Sequence, residues 1–298
     1  MHALTLPFDM KKLNRELFVF VSAIIAFLFL VVALGFSGSL GGDRSPRHAA
    51  SVASPFIYSF NASGILNEAG SMDQSSSPYW WLNSGGQLIM DGGFGKTMQG
   101  TASLLNPWRI LYALSNPIDT DNGTHPQNLF RLISRSTWGN VSAQVTFRIT
   151  KLNLSDSPNR NASNGVLLMG RYRNSDDTYY AGLRDDGQAV IKKKIGGTYY
   201  TLGSVQIFGT AGKYNRDTFP TLLPSNTWMA LKVNIQDAWD GSVLIRLYLD
   251  RENDGSFVSI LSARDTGTDG APLRGSGYLG LRTDFKDVEF DSFRAEKL

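Results

Sequence analysis

The chain has 298 residues, of which 42% are hydrophobic, 11% aromatic and 18% charged, with 30 Gly and no Cys. That apolar content is too high for a disordered chain, and the absence of Cys excludes disulfides, CxxC redox chemistry, thiolate zinc sites and a cysteine nucleophile. With 29 basic and 26 acidic residues the formal net charge is only +3, which excludes the basic footprint of a nucleic-acid binder.

In chain order, residues 17–36 (LFVFVSAIIAFLFLVVALGF) carry no charge. About 20 such residues cross a hydrocarbon core as a helix. Lys11, Lys12 and Arg15 precede the run, so the positive-inside bias keeps residues 1–16 in the cytoplasm and sends the rest outward. Ala33-Leu34-Gly35 resembles a signal-peptide cleavage site, which would make the protein secreted. The run is longer than the apolar core of a usual signal peptide, about 7–15 residues, so residues 17–36 read as a transmembrane signal anchor. Residues 37–55 (SGSLGGDRSPRHAASVASP) are small and polar and read as a flexible linker.

From residue 56 onward no helical period is evident. Val141, Ala143, Val145, Phe147 and Ile149 alternate with Ser142, Gln144, Thr146, Arg148 and Thr150, and Met229, Leu231, Val233 and Ile235 alternate with Ala230, Lys232, Asn234 and Gln236. Both patterns predict strands with one buried and one wet face. Residues 166–169 are apolar on both faces, as in a central strand covered on both sides. Gly85-Gly86, Asp186-Gly187, Gly196-Gly197, Asp240-Gly241 and Asp254-Gly255 supply the positive φ of tight hairpins. No blade-length repeat argues for a propeller, so residues 56–298 read as one all-β, antiparallel sandwich domain.

The stretches GVLLMGRYR from Gly165, DTYYAGLRDDGQAVIKKKIGG from Asp177 and GYLGLRTDFKDVEFDSF from Gly277 resemble the concanavalin A-like lectin/glucanase superfamily, particularly its laminin-G-like jelly rolls. The resemblance covers about residues 56–298 and implies a two-sheet antiparallel jelly roll with a ligand groove on one concave sheet. It does not choose an activity, because the fold hosts lectins, hydrolases, lyases and adhesive modules. It also implies that a structural Ca²⁺ is common in such domains.

Five groups of residues could carry chemistry. Asp287-Val288-Glu289-Phe290-Asp291 would put three carboxylates on one strand face, neighbours being about 6.5–7 Å apart, against roughly 5.5 Å in retaining glycosidases. The resembling glucanases carry Glu-x-Asp-x-Glu on a groove strand; here the acids are transposed and lie at the extreme C-terminus, so an edge strand with an acidic outer face competes with catalysis by Glu289 and Asp291. His125, Arg131 and Arg135, with Gln127 and Tyr180, supply the cation and base that a polysaccharide lyase needs, although the Arg-x-Glu-x-Arg and Gln-x-His motifs of such lyases are missing. Asp250, Glu252 and Asp254 resemble the opening of a calcium loop, but the twelfth position is Leu261 instead of Glu, so a hairpin turn is the better reading. Trp80, Trp81, Tyr180 and Trp239 are platforms on which sugar rings could stack, with strand alternation burying one ring of each adjacent pair. Lys192 and Lys194 share a strand face near Arg184 and make either a cationic patch for acidic polysaccharide or a solvated face that discourages edge pairing.

Asn61, Asn122, Asn140, Asn153 and Asn161 begin Asn-x-Ser/Thr sequons, acceptors for N-glycans on an exported chain. The sequence therefore leads to the expectation of a membrane-anchored, extracellular, lectin-like protein whose partner is a polysaccharide or glycoconjugate. A glycan-cleaving lyase or hydrolase on the same fold is the alternative, and a structural or adhesive surface protein the third reading.

Overall fold

The computed structural model describes residues 47–298, so the expected anchor at 17–36 and the stretch before it lie outside the described residues. No helix among the described residues is long and apolar enough to cross a membrane. The alternating runs form strands in two antiparallel sheets. One contains β1 (Phe56–Tyr58), β2 (Gly64–Asn67), β4 (Gln87–Asp91), β5 (Phe94–Thr97), β7 (Val141–Leu152), β12 (Met229–Asp237), β13 (Val243–Asp250), β14 (Val258–Asp265) and β16 (Lys286–Lys297). The other contains β3 (Trp80–Ser84), β6 (Leu129–Trp138), β8 (Gly165–Tyr172), β9 (Thr178–Arg184), β10 (Gln188–Ile195), β11 (Thr198–Gln206) and β15 (Gly277–Asp284).

The nine-stranded sheet runs β14-β13-β12-β7-β16-β5-β4-β2, with β1 also paired to β16, and the seven-stranded sheet runs β11-β10-β9-β8-β15-β6-β3. Val145 faces Leu231 and Phe147 faces Met229 across the β7–β12 ladder. Their inward side chains join Leu168, Leu281 and Phe290 in one core between the sheets. β8 is buried along its whole length because its outer face is covered too. Ile133, Leu167, Met169, Tyr180 and Val190 form a second apolar cluster there, with Trp81 and Tyr278 packed on it.

The hairpin between β9 and β10 turns at Gly187, whose φ is +79° and where a Cβ would lie 2.1 Å from the Phe208 carbonyl oxygen. Only glycine meets both conditions.

One helix was not anticipated. α1 (Pro107–Ser115) starts at Asn106, whose side chain accepts a hydrogen bond from the Trp108 amide, with Pro107 in the first turn. Asn followed by Pro is an N-terminal helix signal, but the periodic stretch is too short to stand out. Trp108 and Tyr112, four residues apart, bury its inner side.

At the N-terminal end of the described chain, the Arg47 amide bonds the Ser75 carbonyl and the Ala50 amide bonds the Pro78 carbonyl, both at 2.9 Å. Two ion pairs are enclosed by the sandwich, Lys193–Asp265 at 3.0 Å and Lys286–Asp185 at 2.9 Å.

Candidate functional site

The outer face of the seven-stranded sheet gathers side chains from strands far apart in sequence. One row across the sheet reads Trp81, Ile133, Gly280, Met169, Tyr180 and Lys192 through successive register partners. The adjacent row reads Arg131, Arg282, Leu167, Gly182 and Val190. Apolar members make the floor, and the glycines keep it low: a Cβ at Gly280 would lie 2.8 Å from Ile133 Cδ1.

Arg282 is the hub. Its Nε donates to Asp284 Oδ1 at 3.0 Å and its Nη1 donates to the Tyr199 hydroxyl at 2.8 Å. Its guanidinium also stands 5.3 Å from the Tyr180 ring centroid, and the Tyr180 and Tyr199 rings are 5.8 Å apart. Lys194 Nζ lies 5.0 Å over the Tyr199 ring and donates to the Ser175 carbonyl. Arg131 Nη1 donates to Asn83 Oδ1 at 3.0 Å and to Ser175 Oγ at 3.2 Å. Beside this network opens a cavity of about 430 Å³ lined by Tyr180, Lys192, Tyr199, Arg282, Asn161 and Asn164.

The two phenols are pushed apart. Burial pushes Tyr180 up to about 12, with Arg282 only partly offsetting it. Burial also acts on Tyr199, but Arg282 and Lys194 outweigh it and hold that phenol below its ordinary value. Burial, then Arg184 and Arg282, push the Lys192 ammonium down. Spectrophotometric titration should therefore show one phenol ionising below the usual tyrosine value of about 10 and missing in Tyr199→Phe. An unchanged curve in that variant would contradict the assignment. The linked sign is that stability rises with pH as Tyr199 ionises ahead of its unfolded value, then falls from about 10 toward 12 where folded Tyr180 retains its proton.

Tyr180, Arg184, Lys192 and Lys194 thus share one sheet face with Arg131 and Trp81. Arg184 pairs with Asp186 at 2.7 Å, and Trp81 Nε1 donates to the Ala69 carbonyl at 2.8 Å. The other predicted residues are placed differently. Trp80 is fully buried in the core and offers no face to a ligand, because alternation along β3 turns it inward and Trp81 outward. Trp239 is 99% exposed on the β12–β13 turn and does not line the cavity.

His125 and Arg135 do not reach the network. His125 Nδ1 lies 2.8 Å from Asp121 Oδ2 and its Nε2 3.4 Å from Thr101 Oγ1. Buried Arg135 donates to the Arg47 and Ser77 carbonyls and fastens chain to chain. Gln127 is also buried, donating to Asp287 and the Gly100 carbonyl.

The acidic run lies on the other sheet. β16 is an interior strand between β7 and β5, not an edge. Val288 and Phe290 point into the core, so the carboxylates face away from it. Asp287 accepts from the Gly100 amide at 2.6 Å, Gln127 at 2.9 Å and Asn153 at 3.0 Å, and Glu289 is paired with Arg148. Asp291 accepts from Ser292 Oγ at 3.1 Å. Glu289 and Asp291 therefore do not meet the cavity.

Asp250 accepts the Gly255 amide at 2.8 Å and Asp254 accepts the Ser256 amide at 2.9 Å, so with exposed Glu252 these acids close a turn. Among the described residues no group of three or more acidic, His or Cys side chains is arranged to hold a metal ion. Asn61, Asn122 and Asn161 are exposed, Asn140 is half-buried, and Asn153 is buried. Asn153 Nδ2 donates to Asn128 and Asp287, which removes it as a glycan acceptor in the folded chain.

Arg282 is not singled out by the sequence, and Tyr199 belongs to an aromatic pair there without being among the chosen platforms. Both sit in strands recognisable as such, and only the lateral strand order brings them together.

No protein-family model matches the chain, and no curated protein matches it. Among solved structures, it is similar to the carbohydrate binding module CBM66 from Bacillus subtilis, with 15% identity over 57% of this chain and 82% of that one and a TM-score of 0.39. It is similar to a beta-glucanase from Bacillus licheniformis, with 12% identity over 83% of this chain and 100% of that one and a TM-score of 0.44. It is also similar to a xylan beta-1,4-xylosidase from Bacillus Halodurans C-125, with 14% identity over 86% of this chain and a TM-score of 0.43, and spans 41% of that protein's length. Likenesses at these scores carry no conclusion about activity. The sandwich architecture rests on the strand pairing itself.

Proposed function

We propose that the protein is a carbohydrate-binding module whose site is the outer face of the seven-stranded sheet, carried outside the cell on a membrane anchor formed by residues 17–36. The observation that carries the binding reading is the cavity in which Tyr180, Tyr199, Lys192 and Arg282 converge with Asn161 and Asn164. Rings stack on sugar C–H faces, and fixed amide and guanidinium donors bond hydroxyls, the usual form of a small-ligand site with a few convergent polar groups. The uncharged run and the basic residues before it support the anchor.

The test is retention of the full chain on an immobilised polysaccharide panel, with soluble products assayed in the same fractions. The expected result is retention without products, weakened about tenfold or more in Tyr199→Ala through loss of the stacking ring. Retention that Tyr199→Ala leaves untouched would sink the site. A second reading, elimination of a uronate-containing chain, has one observation in its favour: the Tyr199 phenol is held below its ordinary value beside Arg282, as a base would require. Release of unsaturated products would replace the first reading by that one.

A further inference from the structure

Not every cation around the cavity has a carboxylate partner. Arg131, Arg184, Lys192, Lys194 and Arg282 are cations of this sheet face, and Arg135 of the same strand as Arg131 is spent on the Arg47 and Ser77 carbonyls. Three of them have carboxylates: Arg184 has Asp186 at 2.7 Å, Lys194 has Asp176 at 3.4 Å and Arg282 has Asp284 at 3.0 Å. Arg131 is held only by the neutral Asn83 and Ser175, and its Nε is buried with no partner. The Lys192 side chain is half-buried and, among the described residues, makes no hydrogen bond or ion pair. The other carboxylate lining the cavity, Asp119, keeps its charge, but it accepts from the neutral Ser157 at 2.5 Å and Asn159 at 2.9 Å and forms no ion pair with these cations.

Burial, then Arg184 and Arg282, work against the Lys192 charge by desolvation and like-charge repulsion, and Tyr199 and Asp186 offset them only in part. Both penalties are relieved by an anion entering the cavity, and charge-assisted hydrogen bonds to it are the stronger kind. A neutral sugar relieves neither. We infer that the ligand is an acidic glycan, whose carboxylate or sulfate sits against Lys192 and Arg282 in the cavity while a sugar ring rests on Tyr199. This rests on the carbohydrate-binding reading above and narrows it to a charge class. It also gives Lys192 a function that strand solubility does not explain, since the side chain lines a cavity instead of projecting into open solvent.

The test is affinity electrophoresis of the full chain through gels containing polymers matched except for charge. The pairs are polygalacturonate against its methyl ester, glucuronoxylan against debranched xylan, and heparan sulfate against its desulfated form, which separates carboxylate from sulfate. At least one acidic member should retard the chain about tenfold more strongly than its uncharged or less charged partner. That preference should fall as salt is raised over the range in which screening shortens from about 10 Å to 3 Å. It should be lost in Lys192→Gln and kept in Lys192→Arg, which preserves the charge and controls for misfolding. Equal retardation by both members of every pair, or an acidic preference that survives Lys192→Gln, would overturn the inference while leaving carbohydrate binding intact. Retardation by none would overturn both.

Discussion

Lys193→Met is expected to destabilise the domain by about 3–5 kcal/mol, the usual cost of removing one partner from a buried charge pair. Lys193 and Asp265 both have no solvent exposure. The ammonium is held by Asp265 Oδ2 at 3.0 Å and by the Thr268 and Gly270 carbonyls at 2.9 and 2.8 Å. The carboxylate also accepts from the Tyr179 hydroxyl at 2.6 Å and from the Gly267 and Thr268 amides at 3.0 and 3.1 Å. Without Lys193 it keeps these neutral donors and loses its counter-charge. The urea midpoint should fall with an unchanged m-value, and Lys193→Met with Asp265→Leu should recover part of the loss. An unaltered midpoint in the single variant would contradict the account.

The same pair sets an acid limit. Burial pushes the Asp265 carboxyl up, but hydrogen bonds from Tyr179, Gly267 and Lys193, with the Lys193 charge, outweigh it and hold the group below its ordinary value. A depressed folded pKa contributes stability above the unfolded carboxyl value of about 3.9, and that stability is lost as pH falls through the lower folded value. Removing the Lys193 charge raises the folded value, so acid unfolding of Lys193→Met should begin at higher pH than in the parent chain.

Trp80→Ala is expected to cost about 3–5 kcal/mol, the range for emptying a large aromatic site in a packed core. Trp80 has no exposure and meets Phe293 edge-on at 4.9 Å and Phe60 in a stacked pair at 6.2 Å. Its indole N–H is buried with no partner, so Trp80→Phe, which removes that group and keeps a ring, should cost much less. Thermal or urea unfolding checks both. A Trp80→Ala midpoint shifted no more than that of an ordinary surface change, within about 0.5 kcal/mol, would show that the ring is not where the core places it.

How far this was legible in the sequence differs by level. The runs of β7 and β12 are written in their alternation, and Asp186-Gly187 marks a hairpin because only glycine fits there. Which tryptophan of an adjacent pair faces inward depends on where a strand begins, and a shift of one residue inverts it; Trp80 was for that reason taken for a platform. Lys193 escaped notice for the related reason that alternation sets it apart from Lys192 and Lys194, on the core side of β10. Arg282 pairs in register with Arg131, which lies some 150 residues earlier in the chain, and no local pattern reports that lateral contact. The interior position of β16 is equally non-local, so its acids read as an edge face when Asp287 and Glu289 are covered partners of Gln127, Asn153 and Arg148.

On this reading glycan binds on the seven-stranded sheet and not at Trp239, the most exposed ring among the described residues. Retention of Tyr199→Ala and Trp239→Ala, side by side on the polysaccharide that holds the parent chain, tests it most directly. Tyr199 is 45% exposed beside Arg282 and the cavity, whereas Trp239 is 99% exposed on a turn. Tyr199→Ala is expected to lose retention and Trp239→Ala to keep it. Loss in Trp239→Ala with full retention in Tyr199→Ala would move the site to the β12–β13 turn and contradict the account.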